Sequence, residues 1–198
     1  MRRVGVSSYE VLHAWSAQNR EAYWELAIER LEIRLRRPFR QVGDFSRGAE
    51  QPRWLVEAQI NIVESCFTAP ADAPAIVEQS EGGELRAISV GELEALTDRV
   101  ASSIQRLGFK PGDALAIMMP MTTESVAIYL GIIKTGAVVV GIADSFRPKE
   151  IATRLRLSHA VAVFTQDVMV RGGKVLPLYA MRSKPARLLP SCSPPPVA

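Results

Sequence analysis

"GDALAIMMPMTTESVAIYLGIIKTGAVVVGIADSF", Gly112 to Phe146, is the most apolar stretch of this 198-residue chain, and its reading decides the fold. A helix that crosses a bilayer needs about 20 consecutive apolar residues, because hydrocarbon cannot solvate a charge. Here Thr122, Thr123, Glu124 and Ser125 break the run near its middle, Lys134 breaks it again, and Pro120 removes a helical N–H. Three shorter pieces remain: Ala114 to Met119, Glu124 to Lys134 and Ala137 to Ile142. The outer two have strand length, and the second is rich in valine, as strands buried on both faces are. The middle piece follows two threonines able to cap a helix, carries Glu124 in its first turn and ends with Lys134 ahead of Gly136. Strand, helix and strand within about 30 residues make a parallel crossover unit.

The alternation extends both ways from this unit. Upstream, Ala75 to Gln79 and Leu85 to Ser89 flank Glu81-Gly82-Gly83-Glu84, which predicts a hairpin. Ser89 stands three residues before Glu92, the spacing of a capping box, and Leu93, Leu96, Val100, Ile104 and Leu107 then recur at helical steps until Gly108. Downstream, a helix is expected over Pro148 to Leu157 and a buried strand over Ala160 to Phe164. The fold class is therefore α/β: a partial, mostly parallel sheet with helices on both faces. The first 67 residues read differently, as a helical and irregular extension. Tyr9 to Trp15 and Glu21 to Leu31 carry apolar residues at helical spacing, Arg37-Pro38 interrupts, and a short helix is expected over Ile60 to Phe67. Ala69 to Pro74, with two prolines in six residues, reads as a linker. The expected division is residues 1–68, 69–180 and 181–198, the last a proline-rich tail expected to be disordered.

Composition narrows the function classes. With 24 basic and 21 acidic residues the net charge is only +3, which gives little support to a nucleic-acid partner. The densest basic cluster, Arg30, Arg34, Arg36, Arg37 and Arg40, lies among Glu29 and Glu32 and reads as a solvated face. Cys66 and Cys192 are far apart and form no disulfide framework, and His13 and His159 are equally separate, so no cluster has metal-ligand spacing. Met1-Arg2-Arg3 is not followed by an apolar segment, and the chain ends Pro196-Val197-Ala198 rather than in a peroxisomal Ser-Lys-Leu signal; a cytoplasmic location is the expectation. Trp24 and Trp54 are expected in packing, and His159 as a surface cap residue.

The order Gly112-Asp113, Ile117-Met118-Met119-Pro120-Met121, Lys134-Thr135-Gly136-Ala137-Val138, then Ser145-Phe146 with Glu150 and Arg154, resembles the N-terminal part of AMP-forming acyl-CoA synthetases. The acetyl-CoA-synthetase-like branch, which includes plant acyl-activating enzymes, is the most similar. "YWELAIERLEIRLRRPFRQVGDFS" and "RWLVEAQINIVESCF" resemble its N-terminal extension, and "TQDVMVRGGKVLPL" resembles the segment after its third parallel strand. The resemblance covers Tyr9 to Leu178. It implies a ligase that activates a carboxylic acid with ATP and Mg²⁺ and passes the acyl group to CoA; some members of the family are peroxisomal. It also implies where CoA would touch: the turn Ala143, Asp144 and Ser145, and the basic loop of Arg171 and Lys174. A carboxylate at Asp144 departs from the branch pattern, and the plainer role for Asp144 and Ser145 is capping the helix that begins at Pro148.

The family's Ser/Thr-Gly-Thr-Thr-Gly phosphate loop has no counterpart. The only glycine pairs are Gly82-Gly83 and Gly172-Gly173, and the second is no Walker loop, since Val168 and Val175 occupy the places of its first glycine and its Ser/Thr. The chain is thus expected to be an N-terminal fragment, inactive alone, with a sheet edge left open and prone to association. The alternative is a CoA-binding or regulatory module that pairs with a full-length synthetase.

Overall fold

The computed structural model describes residues 4–181 and 187–188. Its contacts divide the chain into two units, Met1–Cys66 and Phe67–Ala198.

In the first unit, helix α1 (Tyr9–Gln18) begins where the Ser8 hydroxyl accepts from the Val11 N–H, and α2 (Arg20–Arg30) follows after Asn19. Neither helix fully buries a residue. Strands β1 (Gln41–Asp44) and β2 (Arg53–Val56) pair antiparallel, and Val42, Val56 and Val63 are the buried hydrophobic residues. Trp54 packs edge-on against Trp24, with ring centroids 6.1 Å apart, and against Phe45 at 5.4 Å. Both tryptophans stay nearly half exposed, so they pack against each other and not in a core. The helix expected over Ile60 to Phe67 is a single 3-10 turn, Ile62–Ser65, because the Asn61 side chain takes the Val63 N–H and tightens the start. The arginine cluster is largely engaged locally: Arg36 pairs with Glu64, Arg40 pairs with Glu57, and Arg37 Nε donates to the Glu57 carbonyl at 2.6 Å.

In the second unit the linker segment is pinned, since Val90 and Gly91 donate backbone bonds to Ala73 and Ala71. Hairpin β3 (Pro74–Gln79) and β4 (Leu85–Ser89) runs into α3 (Val90–Arg106) through the predicted Ser89/Glu92 capping box. The crossover unit is β5 (Ala114–Met118), α4 (Thr123–Lys134) and β6 (Val138–Gly141), with Thr122 capping α4. Helix α5 (Pro148–Leu157) and strand β7 (Ala162–Thr165) follow, then hairpin β8 (Met169–Arg171) and β9 (Lys174–Leu176), and α6 (Leu178–Met181). Arg187–Leu188 form β10, parallel to β7, where the proline-rich composition predicts disorder; the rest of that expected tail, residues 182–186 and 189–198, lies outside the described residues.

The parallel sheet has the order β10-β7-β5-β6. β5 sits between β6 and β7, so the chain moves one place outward through α4 and then returns past β5 through α5. With right-handed crossovers, that reversal puts α4 and α5 on opposite faces. The side chains agree. Leu115 and Ile117 of β5 pack with Ile104 and Ile132 of α3 and α4, whereas Ala116 and Met118 pack with Ile151 of α5. A strand buried on both faces must be apolar at every position, which is why Ala114 to Met118 shows no alternation.

Two expectations need correction. Leu107 is 46% exposed, and the buried stripe of α3 is Val90, Leu93, Thr97, Ala101 and Ile104, with Leu96 and Val100 only partly buried. Helix α4 meets this face at Gly131, whose nearest neighbours on α3 are the Val100 side chain and the Thr97 carbonyl. The strand expected over Ala160 to Phe164 starts two residues later, because His159 and Ala160 are spent closing α5: their N–H groups reach back to Arg156 and Leu155.

Candidate functional site

In an open α/β sheet, ligands bind at the carboxyl ends of strands where the crossover direction reverses. Here that point lies between β5 and β6, and the turn leaving β6 holds Ala143, Asp144 and Ser145. Phe146 N–H closes this turn on the Ala143 carbonyl at 3.2 Å. Ala143 and Ser145 are exposed, whereas the Asp144 side chain is only 12% exposed.

Neither Asp144 nor Ser145 caps α5, contrary to the plainer sequence reading. Arg147 occupies the cap position, and its N–H is taken by the Glu150 carboxylate at 2.9 Å. Asp144 turns instead to Arg171, whose guanidinium donates to Oδ2 at 2.7 Å across 27 residues of sequence. The structure thus joins two of the five residues carried over for CoA.

The basic loop is a tight hairpin. Gly172 and Gly173, between Arg171 of β8 and Lys174 of β9, have φ of +59° and +69°. Two consecutive left-handed residues are what a two-residue primed turn requires, and glycine adopts them without strain. Both N–H groups point at one acceptor: Glu81, at the tip of the β3–β4 hairpin, accepts from Gly172 at 2.7 Å and from Gly173 at 3.1 Å. These bonds, aided by Arg171, hold the Glu81 carboxyl below the usual carboxylate range. Lys174 is exposed beside them. Two cations, two aligned N–H donors and two carboxylates therefore share one surface. Adjacent backbone N–H groups in such a turn are an oxyanion seat, and arginine supplies the planar donor set that suits phosphate. Sequence reading missed Glu81, since no local pattern links residues so far apart.

Other residues of the resemblance are structural. Lys134 of α4 pairs with Asp98 of α3, Arg154 stacks over the Phe146 ring at 3.8 Å, and Thr123 donates both N–H and hydroxyl to Glu78 of β3. The two glycine pairs sit in hairpin turns and lead into no helix, so they do not fit a triphosphate loop. Among the described residues no group of three or more His, Cys, Asp or Glu could hold a metal, and no helix is long and apolar enough to cross a membrane.

Residues 63–190 match the family described as AMP-binding enzyme, and residues 9–66 match the acetyl-coenzyme A synthetase N-terminus. The chain is 38% identical to the probable acyl-activating enzyme 18, peroxisomal, of Arabidopsis thaliana, over 88% of this chain and 25% of that protein. It is 34% identical to hexanoyl-CoA synthase of Cannabis sativa, over 88% and 26% of the two chains, and 31% identical to acetyl-coenzyme A synthetase of Cupriavidus pinatubonensis, over 89% and 27%. Acetoacetyl-CoA synthetase from Streptomyces lividans superposes with a TM-score of 0.82 at 24% identity, covering 89% of this chain and 28% of that one, which shows the fold. The chain spans about a quarter of the length of these relatives. By its parallel sheet and both family matches, this chain belongs to the AMP-binding enzymes and corresponds to the N-terminal portion of their acyl-CoA synthetase members.

Proposed function

We propose that these residues form the CoA-facing opening portion of an acid–CoA ligase. In that reaction a carboxylate attacks the α-phosphorus of ATP, releasing pyrophosphate, and the CoA thiol then displaces AMP from the acyl adenylate. Among the described residues neither glycine pair forms a triphosphate loop and no acidic cluster suits Mg²⁺, so we infer that adenylate formation belongs to other parts of such a ligase. The contribution of this chain is to CoA: Arg171 and Lys174 take its 3′-phosphate, and Ala143, Asp144 and Ser145 border its adenine. The observation that supports this reading is the Glu81 carboxylate seated on the Gly172 and Gly173 N–H groups beside Arg171, an arrangement of donors suited to an oxyanion.

Isothermal titration tests it. CoA should bind more tightly than 3′-dephospho-CoA, and Arg171→Ala should remove the difference; equal affinities for the two nucleotides would defeat the reading. A second reading, pairing with a full-length synthetase, is favoured by the outer edge of β6, which has no strand partner among the described residues and where Val138 is 50% exposed. Co-elution with a full-length family member on a sizing column is expected if that edge is used.

We also propose the division 1–68, 69–180 and 181–198, which limited proteolysis would reveal as cuts near residues 68 and 180. For location we propose the cytoplasm. The peroxisome is the alternative raised by the name of the Arabidopsis relative, and a fluorescent fusion distinguishes them.

A further inference from the structure

We propose that Glu81 is a built-in competitor that occupies the oxyanion seat of the Gly172–Gly173 turn, so that a phosphate binds there only as Glu81 leaves. The inference rests on the reading of this turn as the CoA phosphate site, and it adds a regulator which that reading lacks.

Geometry carries the argument. Each carboxylate oxygen of Glu81 takes one glycine N–H, Oε1 at 2.7 Å and Oε2 at 3.1 Å. A phosphate spans two adjacent N–H groups with two oxygens in the same way, so carboxylate and phosphate cannot share the seat. The surrounding charge is already balanced within the chain. Arg171 is held by Asp144 at 2.7 Å and lies beside Glu81, so a dianion added without displacement would meet two carboxylates. Glu81 can also be displaced. It sits in the tip of a hairpin, residues 80–84, between the end of β3 at Gln79 and the start of β4 at Leu85, and Gly82, at φ +71°, has no atom within 4 Å of a Cβ position. An exposed charge-assisted contact between two hairpin tips is weak and screened, unlike one enclosed in a core. The seat is therefore preformed, kept from nonspecific anions by its own carboxylate, and opened by a ligand whose further contacts outweigh that of Glu81.

The test uses the 198-residue chain with Glu81→Gln and Glu81→Ala, each titrated with CoA, 3′-dephospho-CoA and inorganic phosphate. Amide signals of Gly172 and Gly173 are followed by NMR, and retained signal dispersion verifies folding. Removing one negative charge at contact distance should tighten CoA binding by about five- to tenfold in both variants, with no gain for dephospho-CoA. Inorganic phosphate should move the two glycine signals at lower concentration in the variants than in the parent chain. Unchanged or weaker CoA and phosphate binding in both variants overturns the competitor role, even if CoA still exceeds dephospho-CoA. If CoA and dephospho-CoA bind alike while phosphate shows the gain, Glu81 is the competitor and the assignment of the ligand to CoA fails.

Discussion

Two residues show how a single side chain departs from what its place demands. His159 lies just past α5 with φ +52°, the left-handed position that closes a helix, where α3 has Gly108 at +84° and α4 has Gly136 at +80°. A side chain there costs roughly 1 kcal/mol that glycine avoids. His159→Gly should accordingly stabilise the second unit by about 0.5–1 kcal/mol, after the entropy glycine adds to the unfolded chain. Urea unfolding followed by circular dichroism would read it. Tryptophan fluorescence would not, because all three tryptophans precede residue 67. Thr97 is the second case. It is fully buried and its Oγ1 has no hydrogen-bond partner. Valine has the same shape without the stranded hydroxyl, so Thr97→Val should raise stability by about 1 kcal/mol in the same measurement. The sequence announced the cap position of His159 but not the burial of Thr97, which depends on what α4 brings against it.

The contact between α3 and α4 turns on a residue that reads as a flaw in isolation. Glycine inside a helix costs about 1 kcal/mol against alanine, yet Gly131 stands within α4, three residues before its end. A Cβ there would lie 2.7 Å from Val100 Cγ1, 2.9 Å from Val100 Cβ and 3.2 Å from the Thr97 carbonyl. Valine in a helix is confined to one rotamer and cannot swing aside. Gly131→Ala should therefore destabilise by about 1–2 kcal/mol in spite of its better propensity, and adding Val100→Ala should recover much of the loss; simple additivity of the two would contradict the clash. Element boundaries were readable wherever a cap or a glycine marked them, as at Ser89, Thr122, Gly108 and Gly136. They were misread where a local competitor intervened: Asn61 shortened the expected helix to one turn, and the closure of α5 delayed β7. The β8–β9 hairpin was read only as a basic loop, because its strands have three residues each and its turn glycines look the same in a flexible segment.

Across the whole chain, acid should be destabilising, and the carboxylates say where. Asp44 is held far below its ordinary range, first by the Arg53 guanidinium and then by Ser46. Glu92 is lowered by the Ser89 N–H and hydroxyl, Glu81 by the two glycine N–H groups, and Glu10 by Ser8. A depressed carboxyl binds its proton more weakly when folded than when unfolded, so its stabilisation is present above the ordinary carboxylate range and is lost as the pH falls through the folded value. The melting temperature should fall as pH drops from 5 towards about 3, and Glu92→Gln should flatten that dependence. A melting temperature constant over this interval would contradict it.

The contact between the two hairpin tips joins residues separated by 91 and 92 positions in the chain. Closing so long a loop is entropically costly until the intervening helices and strands have collapsed, so this surface is assembled among the last steps of folding and is lost among the first of unfolding. Amide exchange at Gly172 and Gly173 should then report local opening well before global denaturation.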